Sequence, residues 1–175
     1  YSDIDLLIFM PPGNNHVREL LMFESPLMVN RTERPPGILM ITYGDGLCVE
    51  LDCRDWVSAE ELRRAVVVYD THLCVRSGPV KRRPVAIPPA HYKPYAGDLR
   101  LLYKALIKKL CERHKAADGL LCEFQNSLGT HVDDAFVPRA FELYARFQSR
   151  YKVEPCLDAE IRDLLLKCRY ETLPL

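Results

Sequence analysis

Two aspartates one residue apart stand near the start of the sequence, directly before an apolar run. Asp3 and Asp5 flank Ile4, and residues 6–10 are Leu-Leu-Ile-Phe-Met, which predicts a strand buried on both faces. Because side chains alternate between the faces of a strand, the two carboxylates would share one face. Paired carboxylate oxygens suit a hard divalent cation, whose charge offsets their mutual repulsion. The spacing therefore indicates a metal site, although a polar lead-in to a buried strand explains the same residues.

A second pair of acids lies in the clearest local pattern of the chain. Residues 38–42 and 47–53 are strand-like runs around a Tyr-Gly-Asp-Gly turn, which together predict a β-hairpin. In the return strand Glu50 and Asp52 would share one face, while the apolar residues at the alternate positions share the other. The aspartate in the turn, Asp45, is explained by turn conformation and needs no chemical role.

The elements that must position these acids form an α/β half followed by a helical half. Ser58 and Glu61 form a Ser-x-x-Glu capping box that opens a helix, and residues 65–70 have the pattern of a strand. A short helix is expected over residues 16–23 and a short strand over 27–29. The sequence thus predicts an α+β fold with a mixed, mostly antiparallel sheet and flanking helices over residues 1–78. A linker rich in proline and basic residues (79–96) and a C-terminal helical bundle (97–175) would follow.

Apolar periodicity predicts three principal helices in the second half. The first would be capped by Asp98, with Lys104 among the side chains left outside its buried stripe. Residues 120–124 indicate a separate short helix, and Pro138 stands in the first turn of the next one. Asp158 would cap the last helix.

The composition is that of an ordinary globular protein without a dominant electrostatic field. The chain has 175 residues, of which 48% are hydrophobic, and it carries 24 basic and 24 acidic residues. This balance gives no general attraction to nucleic acid or to an anionic membrane, and no apolar run approaches the roughly 20 residues of a membrane span. The seven cysteines, an odd number without a framework spacing, predict free thiols in a reducing, intracellular compartment.

The Ser-Asp-x-Asp-Leu motif at residues 2–6 resembles the metal-binding strand of the nucleotidyltransferase superfamily. The order of the next elements is similar to that of the aminoglycoside 6-adenylyltransferase branch. It includes Phe-x-x-Pro-Leu-Met at residues 23–28, Val-Glu-Leu in the return strand at 49–51, a helix over 59–64 and a strand ending in Asp70. The resemblance covers about the first 75 residues, and the second half is similar only in being helical.

The resemblance implies that Asp3, Asp5 and Glu50 surround Mg²⁺ and a nucleoside triphosphate, with Ser2 in contact with the nucleotide. The third acid, which is Glu50 or, with a shifted register, Asp52, would activate the attacking hydroxyl of an acceptor. Two cations would then clamp the attacking and leaving oxygens of an in-line displacement.

Two features of the sequence depart from the superfamily pattern. A Gly-Ser turn that grips the triphosphate precedes the Asp-x-Asp strand in the family, whereas this sequence begins at the strand with Tyr1. The third acid is Glu where Asp is usual, and one additional methylene can misplace a catalytic group enough to slow a reaction by orders of magnitude. We therefore expect that the chain does not transfer a nucleotide by itself and is a segment of a longer chain, a degenerate copy or an unrelated α/β domain. The alternative is a non-catalytic domain that docks a protein partner.

A basic segment interleaved with aromatic residues could contact phosphate or single-stranded nucleic acid. Its cations are Lys81, Arg82, Arg83 and Lys93. In a chain without net charge we favour a solvated linker over a nucleic-acid site.

Cysteine and histidine recur in the helical half at spacings that only partly suit zinc. Cys111 and His114 form a Cys-x-x-His pair, but Cys122 and His131 are too widely spaced for a known ribbon or finger. A packed thiol beside surface histidines explains these residues, and zinc is not expected.

Overall fold

The computed structural model describes residues 3–9, 26–31, 38–54, 58–66 and 93–171. Within these ranges a four-stranded mixed sheet precedes a set of helices, which confirms the predicted α+β fold. The strands are β1 (Asp3–Phe9), β2 (Met28–Arg31), β3 (Ile38–Thr42) and β4 (Cys48–Arg54). The helices are α1 (Ala59–Arg64), α2 (Ala96–Leu110), α3 (His114–Ser127), α4 (Phe136–Gln148) and α5 (Pro155–Glu171). The helix expected over residues 16–23 lies outside the described residues, as do most of the strand expected over 65–70 and of the linker.

The sheet has the strand order β1-β4-β3-β2, with β1 parallel to β4 and the other two pairings antiparallel. The predicted hairpin is confirmed as β3 and β4, joined through one 3₁₀ turn at Gly44–Gly46. Gly46 has a φ of +77°, a left-handed conformation that glycine adopts without steric cost. The turn therefore needs its second glycine for backbone conformation.

The two faces of the sheet differ in chemistry. One face is apolar and buries Val29, Leu39, Ile41, Leu51 and Cys53. The opposite face, which we call the polar face, holds the alternate residues of the same strands. Its polar side chains are Asp5, Asn30, Thr42, Glu50, Asp52 and Arg54. Met28 and Cys48 lie on it too and belong to the core of the helical half, so the bundle packs on this face.

The exposure of β1 contradicts the prediction of a strand buried on both faces. Ile4 and Leu6 are 41% and 39% exposed, and Asp5 on the other face is also exposed. Within the described sheet β1 stands at one end and pairs with β4 alone. A strand with one neighbour can keep both faces partly open to solvent, so an apolar run does not by itself identify a central strand.

The helical half has an aromatic and aliphatic core. The rings of Tyr95 and Phe147 meet edge to face with centroids 5.9 Å apart, and Phe124 lies 5.6 Å from Phe147. The predicted inward side chains of α5 are all buried, namely Ile161, Leu164, Leu165 and Cys168. The bundle is therefore organised by the periodicity that the sequence shows.

Three helix boundaries differ from the predictions. α2 begins at Ala96 and α5 at Pro155, so Asp98 and Asp158 lie in first turns and are not caps. The helix dipole favours a carboxylate both at the cap and in the first turn, so the sequence pattern does not distinguish these two positions. The short helix predicted over residues 120–124 is part of the fourteen-residue α3.

Tyr103 of α2 fixes the helical half against the hairpin. Its buried hydroxyl accepts a hydrogen bond from the backbone N–H of Gly46 at 3.0 Å. The same hydroxyl lies 3.1 Å from the carbonyl of Tyr43 and 3.3 Å from the carboxylate of Glu160, either of which can accept its proton. Burial, together with the charge of Glu160, raises the pKa of Tyr103, so the hydroxyl remains a donor. This contact helps to hold α2 over the sheet.

Candidate functional site

The register of β1 on β4 brings acids from distant parts of the chain side by side. Asp5 is the lateral partner of Glu50, and Leu7 is the lateral partner of Asp52. Lateral partners project to the same face from strands about 4.8 Å apart, so the three acids share the polar face. Asp5 is exposed, the side chain of Glu50 is 32% exposed, and Asp52 is buried. Solvent therefore reaches this group of acids from the β1 side.

Two residues assigned to the site are described in part or not at all. The backbone of Asp3 pairs with Cys48 in the same ladder, which gives Asp3 a register position on the polar face. Its side chain, and the whole of Ser2, lie outside the described residues. Among the side chains that the structure describes, no three His, Cys, Asp or Glu are grouped to hold a metal ion. The convergence of Asp3, Asp5 and Glu50 on one cation stays a prediction.

Helix α2 presents two cations to Glu50. Arg100 Nη2 lies 2.6 Å from Glu50 Oε1, and Lys104 Nζ lies 3.5 Å from the same oxygen. The side chains of Arg100 and Lys104 are only 10% and 12% exposed, so both charges are largely removed from water. Glu50 thus has protein partners where the resemblance would place a metal ion or an attacking hydroxyl.

Asp52 is held by Arg54, two residues further along the same strand. Arg54 Nη2 lies 2.5 Å from Asp52, and Nη1 lies 2.5 Å from Glu61 of α1. Burial lowers the pKa of Arg54, but its bonds to the two carboxylates outweigh this and raise the pKa above its usual value. The bond from Arg54 is the main reason that the pKa of Glu61 falls to about 2. Asp52 therefore takes part in joining β4 to α1.

The same network contains the predicted capping box, which is confirmed. The hydroxyl of Ser58 accepts from the backbone N–H of Glu61 at 3.2 Å, and the Glu61 carboxylate accepts from the backbone N–H of Ser58 at 3.2 Å. Glu61 thereby caps α1 and binds Arg54 with one carboxylate.

Buried polar groups concentrate on the polar face and on the side of α2 above it. Of the six buried polar or charged residues in the described ranges, five lie there, and these are Asn30, Thr42, Asp52, Arg54 and Arg100. Four atoms of this set have no hydrogen-bond partner among the described residues: Asn30 Oδ1, Thr42 Oγ1, Arg54 Nε and Arg100 Nε. Unpaired buried polar atoms cost free energy, so each of these four atoms would be stabilised by a ligand that bonds to it.

The basic segment is described only at its end. Lys81, Arg82 and Arg83 lie outside the described residues. The ammonium group of Lys93 pairs with the carboxylate of Glu154 and lies 3.5 Å from the carbonyl oxygen of Leu27. Lys93 thus connects the start of α2 to the segments before β2 and α5.

The candidate zinc ligands do not form one cluster within the described ranges. Cys111 is half-buried, whereas Cys122, His114 and His131 are exposed. The ring of His131 lies 3.1 Å from the Gln125 side-chain amide, and that of His114 lies 3.2 Å from Lys109 Nζ.

Sequence patterns do not identify the two cations of the site, Arg100 and Lys104. Lys104 was expected on the outer side of α2, but its side chain is 12% exposed and lies 3.5 Å from Glu50. No motif of the sequence assigns a role to Arg100, although it stands between Ala96 and Lys104 at helical spacing, next to the buried Leu99. Two cations four residues apart beside an apolar stripe were the available signal for an acidic partner under the helix.

Comparison of the chain with protein-family models, with curated proteins and with solved structures gives no match. Within the described ranges, none of the helices has the length and apolar character needed to cross a membrane. The resemblance to nucleotidyltransferases therefore stays a prediction made from the motifs in the sequence.

Proposed function

We propose that this chain is a nucleotidyltransferase-like domain that binds a nucleoside triphosphate and Mg²⁺ on the polar face of its sheet. The observation that carries the proposal is the parallel pairing that makes Asp5 the neighbour of Glu50. No local rule of sequence requires these two distant strands to pair, in this register or in any other. The resemblance of residues 2–6 and 49–51 implies that the acids of these two segments surround one cation, and a pairing that makes their backbones neighbours supports this proposal.

The proposed roles follow from the exposure of each acid. Asp3 and Asp5 would bind the cation at the open side of the face, and Glu50 would be the third acid. Asp52 is less suited to that role, because it is buried and bound to Arg54 at 2.5 Å. In the reaction an acceptor hydroxyl would attack the α-phosphorus, the bond to pyrophosphate would break, and Glu50 would take the hydroxyl proton.

The charges of the face are consistent with a bound cation. Asp5 and Glu50 are neighbours in the ladder, and like charges this close repel each other. Arg100 and Lys104 compensate Glu50 from the helix side. A divalent cation at the exposed Asp-x-Asp strand would compensate the remaining acids and bring positive charge to a triphosphate.

Calorimetric titration with each of the four common nucleoside triphosphates in Mg²⁺ tests the proposal. Asp5→Asn should weaken binding by about tenfold or more, because it removes a charged metal ligand. Asp133→Asn is the matched control, since Asp133 is an exposed aspartate in the segment between α3 and α4. Equal affinities of the wild type and Asp5→Asn would refute the assignment.

A second candidate is a non-catalytic domain that binds a protein partner. Its specific support is that both acids of β4 already have cationic partners inside the protein, Glu50 with Arg100 and Lys104, and Asp52 with Arg54. A folded wild type that binds none of the four Mg²⁺-nucleotides would favour this role.

A further inference from the structure

The two cations above Glu50 are arranged so that one solute could engage both. Arg100 and Lys104 are one helical turn apart on α2 and reach the same oxygen of Glu50. Glu50 is the most exposed of the three, with 32% of its side chain accessible against 10% and 12% for the cations. A solute that arrives from solvent would therefore meet Glu50 first and the two cations behind it.

The guanidinium of Arg100 is only partly used by Glu50. Its Nη2 binds Glu50 Oε1 at 2.6 Å, while its Nε is buried and has no hydrogen-bond partner among the described residues. Nε and Nη2 form one edge of the planar group, and this edge can hold two oxygens of a phosphate at once. A phosphoryl group on this edge would satisfy a donor that Glu50 leaves unpaired.

On the basis of the proposed function, we propose that the carboxylate of Glu50 competes with a polyphosphate for a site formed by Arg100 and Lys104. In the unliganded protein the carboxylate of Glu50 forms ion pairs with the two cations. A polyphosphate, whether free or as part of a nucleotide, displaces Glu50 and binds them. The released carboxylate is then available to the cation beside Asp5. The exchange is between ion pairs and involves no covalent step.

Competition between Glu50 and a polyphosphate predicts effects of substitution that a purely structural ion pair does not. Removing the charge of Glu50 removes the carboxylate that competes for Arg100 and should tighten polyphosphate binding, although it also removes the third acid of the proposed reaction. Removing the charge of Arg100 should weaken binding. An ion pair that only holds α2 on the sheet would give no polyphosphate binding that responds to either substitution.

The experiment is calorimetric titration with inorganic tripolyphosphate in the presence of EDTA, so that no divalent cation takes part. We expect Glu50→Gln to bind about tenfold more tightly than the wild type and Arg100→Gln about tenfold more weakly, the usual scale for one charge-assisted hydrogen bond. Unchanged or weaker binding by Glu50→Gln overturns the proposal, as does unchanged binding by Arg100→Gln.

The helical half offers a matched control pair. Arg139 binds Asp118 at 2.8 Å, has a side chain 15% exposed, and also has a buried Nε without a partner in the described part of the chain. Arg139→Gln and Asp118→Asn should leave tripolyphosphate affinity within about twofold, since a surface pair without a second cation is a weak site. A response equal to that of the Glu50 and Arg100 variants would mean non-specific attraction and overturn the assignment of a site.

A measurement of Tm tests the proposal even if Arg100→Gln does not fold. Tripolyphosphate should raise the Tm of Glu50→Gln more than that of the wild type, because a ligand stabilises the native state in proportion to its affinity. Equal shifts would contradict the proposal. Failure of the proposed function is distinguishable, because it appears as Mg²⁺-nucleotide binding that ignores Asp5→Asn, whereas this test contains no metal and leaves Asp5 intact.

Discussion

The ion pair between Glu50 and Arg100 should carry a measurable coupling free energy between the sheet and α2. Exposed pairs contribute about 0.2–1 kcal/mol, and breaking a fully buried pair costs about 3–5 kcal/mol. This pair has side chains 10% and 32% exposed and an N–O distance of 2.6 Å, so it lies between those limits. We expect a coupling of about 2 kcal/mol from a double-mutant cycle with Glu50→Gln and Arg100→Gln.

Urea unfolding of the wild type, the two single variants and the double variant gives the four free energies of the cycle. Glu60 and Arg64 on α1 form the control pair, because they are 66% and 79% exposed at an N–O distance of 2.9 Å. Their coupling should be about 0.5 kcal/mol or less and should fall further in salt, while the Glu50 pair is screened less. A Glu50–Arg100 coupling no larger than that of the control pair would refute the view that these charges bind the two halves together.

Three further predictions concern the surroundings of the site. Tyr103→Phe leaves the buried N–H of Gly46 without its acceptor and should lower the free energy of unfolding by about 1–3 kcal/mol, whereas Tyr151→Phe should cost less than about 0.5 kcal/mol in the same urea assay. The pKa of Glu61 falls from 4.5 to about 2 on folding. The stabilisation that its charge gives the native state is therefore complete above pH 4.5 and is lost as the pH falls towards 2. Glu61→Gln should therefore lower the free energy of unfolding by about 1–2 kcal/mol at pH 7, a value reduced for solvent screening because the side chain is 34% exposed, and by much less at pH 2.5. An equal loss at both pH values would contradict the charge assignment. Burial raises the pKa of Cys53 to about 11, so iodoacetamide at pH 8 should modify the exposed Cys122 and Cys156 well before Cys53, and mass spectrometry of the native protein can follow the order.

Local patterns in the sequence were sufficient for the elements that depend on neighbouring residues. The hairpin of β3 and β4, the capping box at Ser58 and the buried stripe of α5 follow from turn chemistry, side-chain hydrogen bonding and periodicity. The opposite faces of Glu50 and Leu51 follow from the alternation of a strand. Each of these features is decided within a few residues.

Features that depend on partners distant in sequence could not be predicted in the same way. Nothing local shows that β1 is an end strand, so the exposure of Ile4 and Leu6 was missed. Lys104 was placed outside because a lysine on an amphipathic helix normally faces solvent, and only the presence of Glu50 beneath α2 makes its inward position favourable. The register that places Asp5 beside Glu50 joins strands that are distant in sequence, and the spacing of the residues does not predict it.

The stability of the fold and the affinity of the proposed polyphosphate site must be linked through the same ions. If a ligand takes Arg100 from Glu50, it has to overcome the coupling that the unfolding cycle measures. A coupling of about 2 kcal/mol corresponds to about thirtyfold in affinity, so Glu50→Gln cannot tighten polyphosphate binding by more than this through release of Arg100 alone. Tightening well beyond that limit would show that Glu50 opposes the ligand chiefly by direct charge repulsion. The cycle and the titration therefore constrain one another, and agreement between them would identify the exchange of partners as the mechanism.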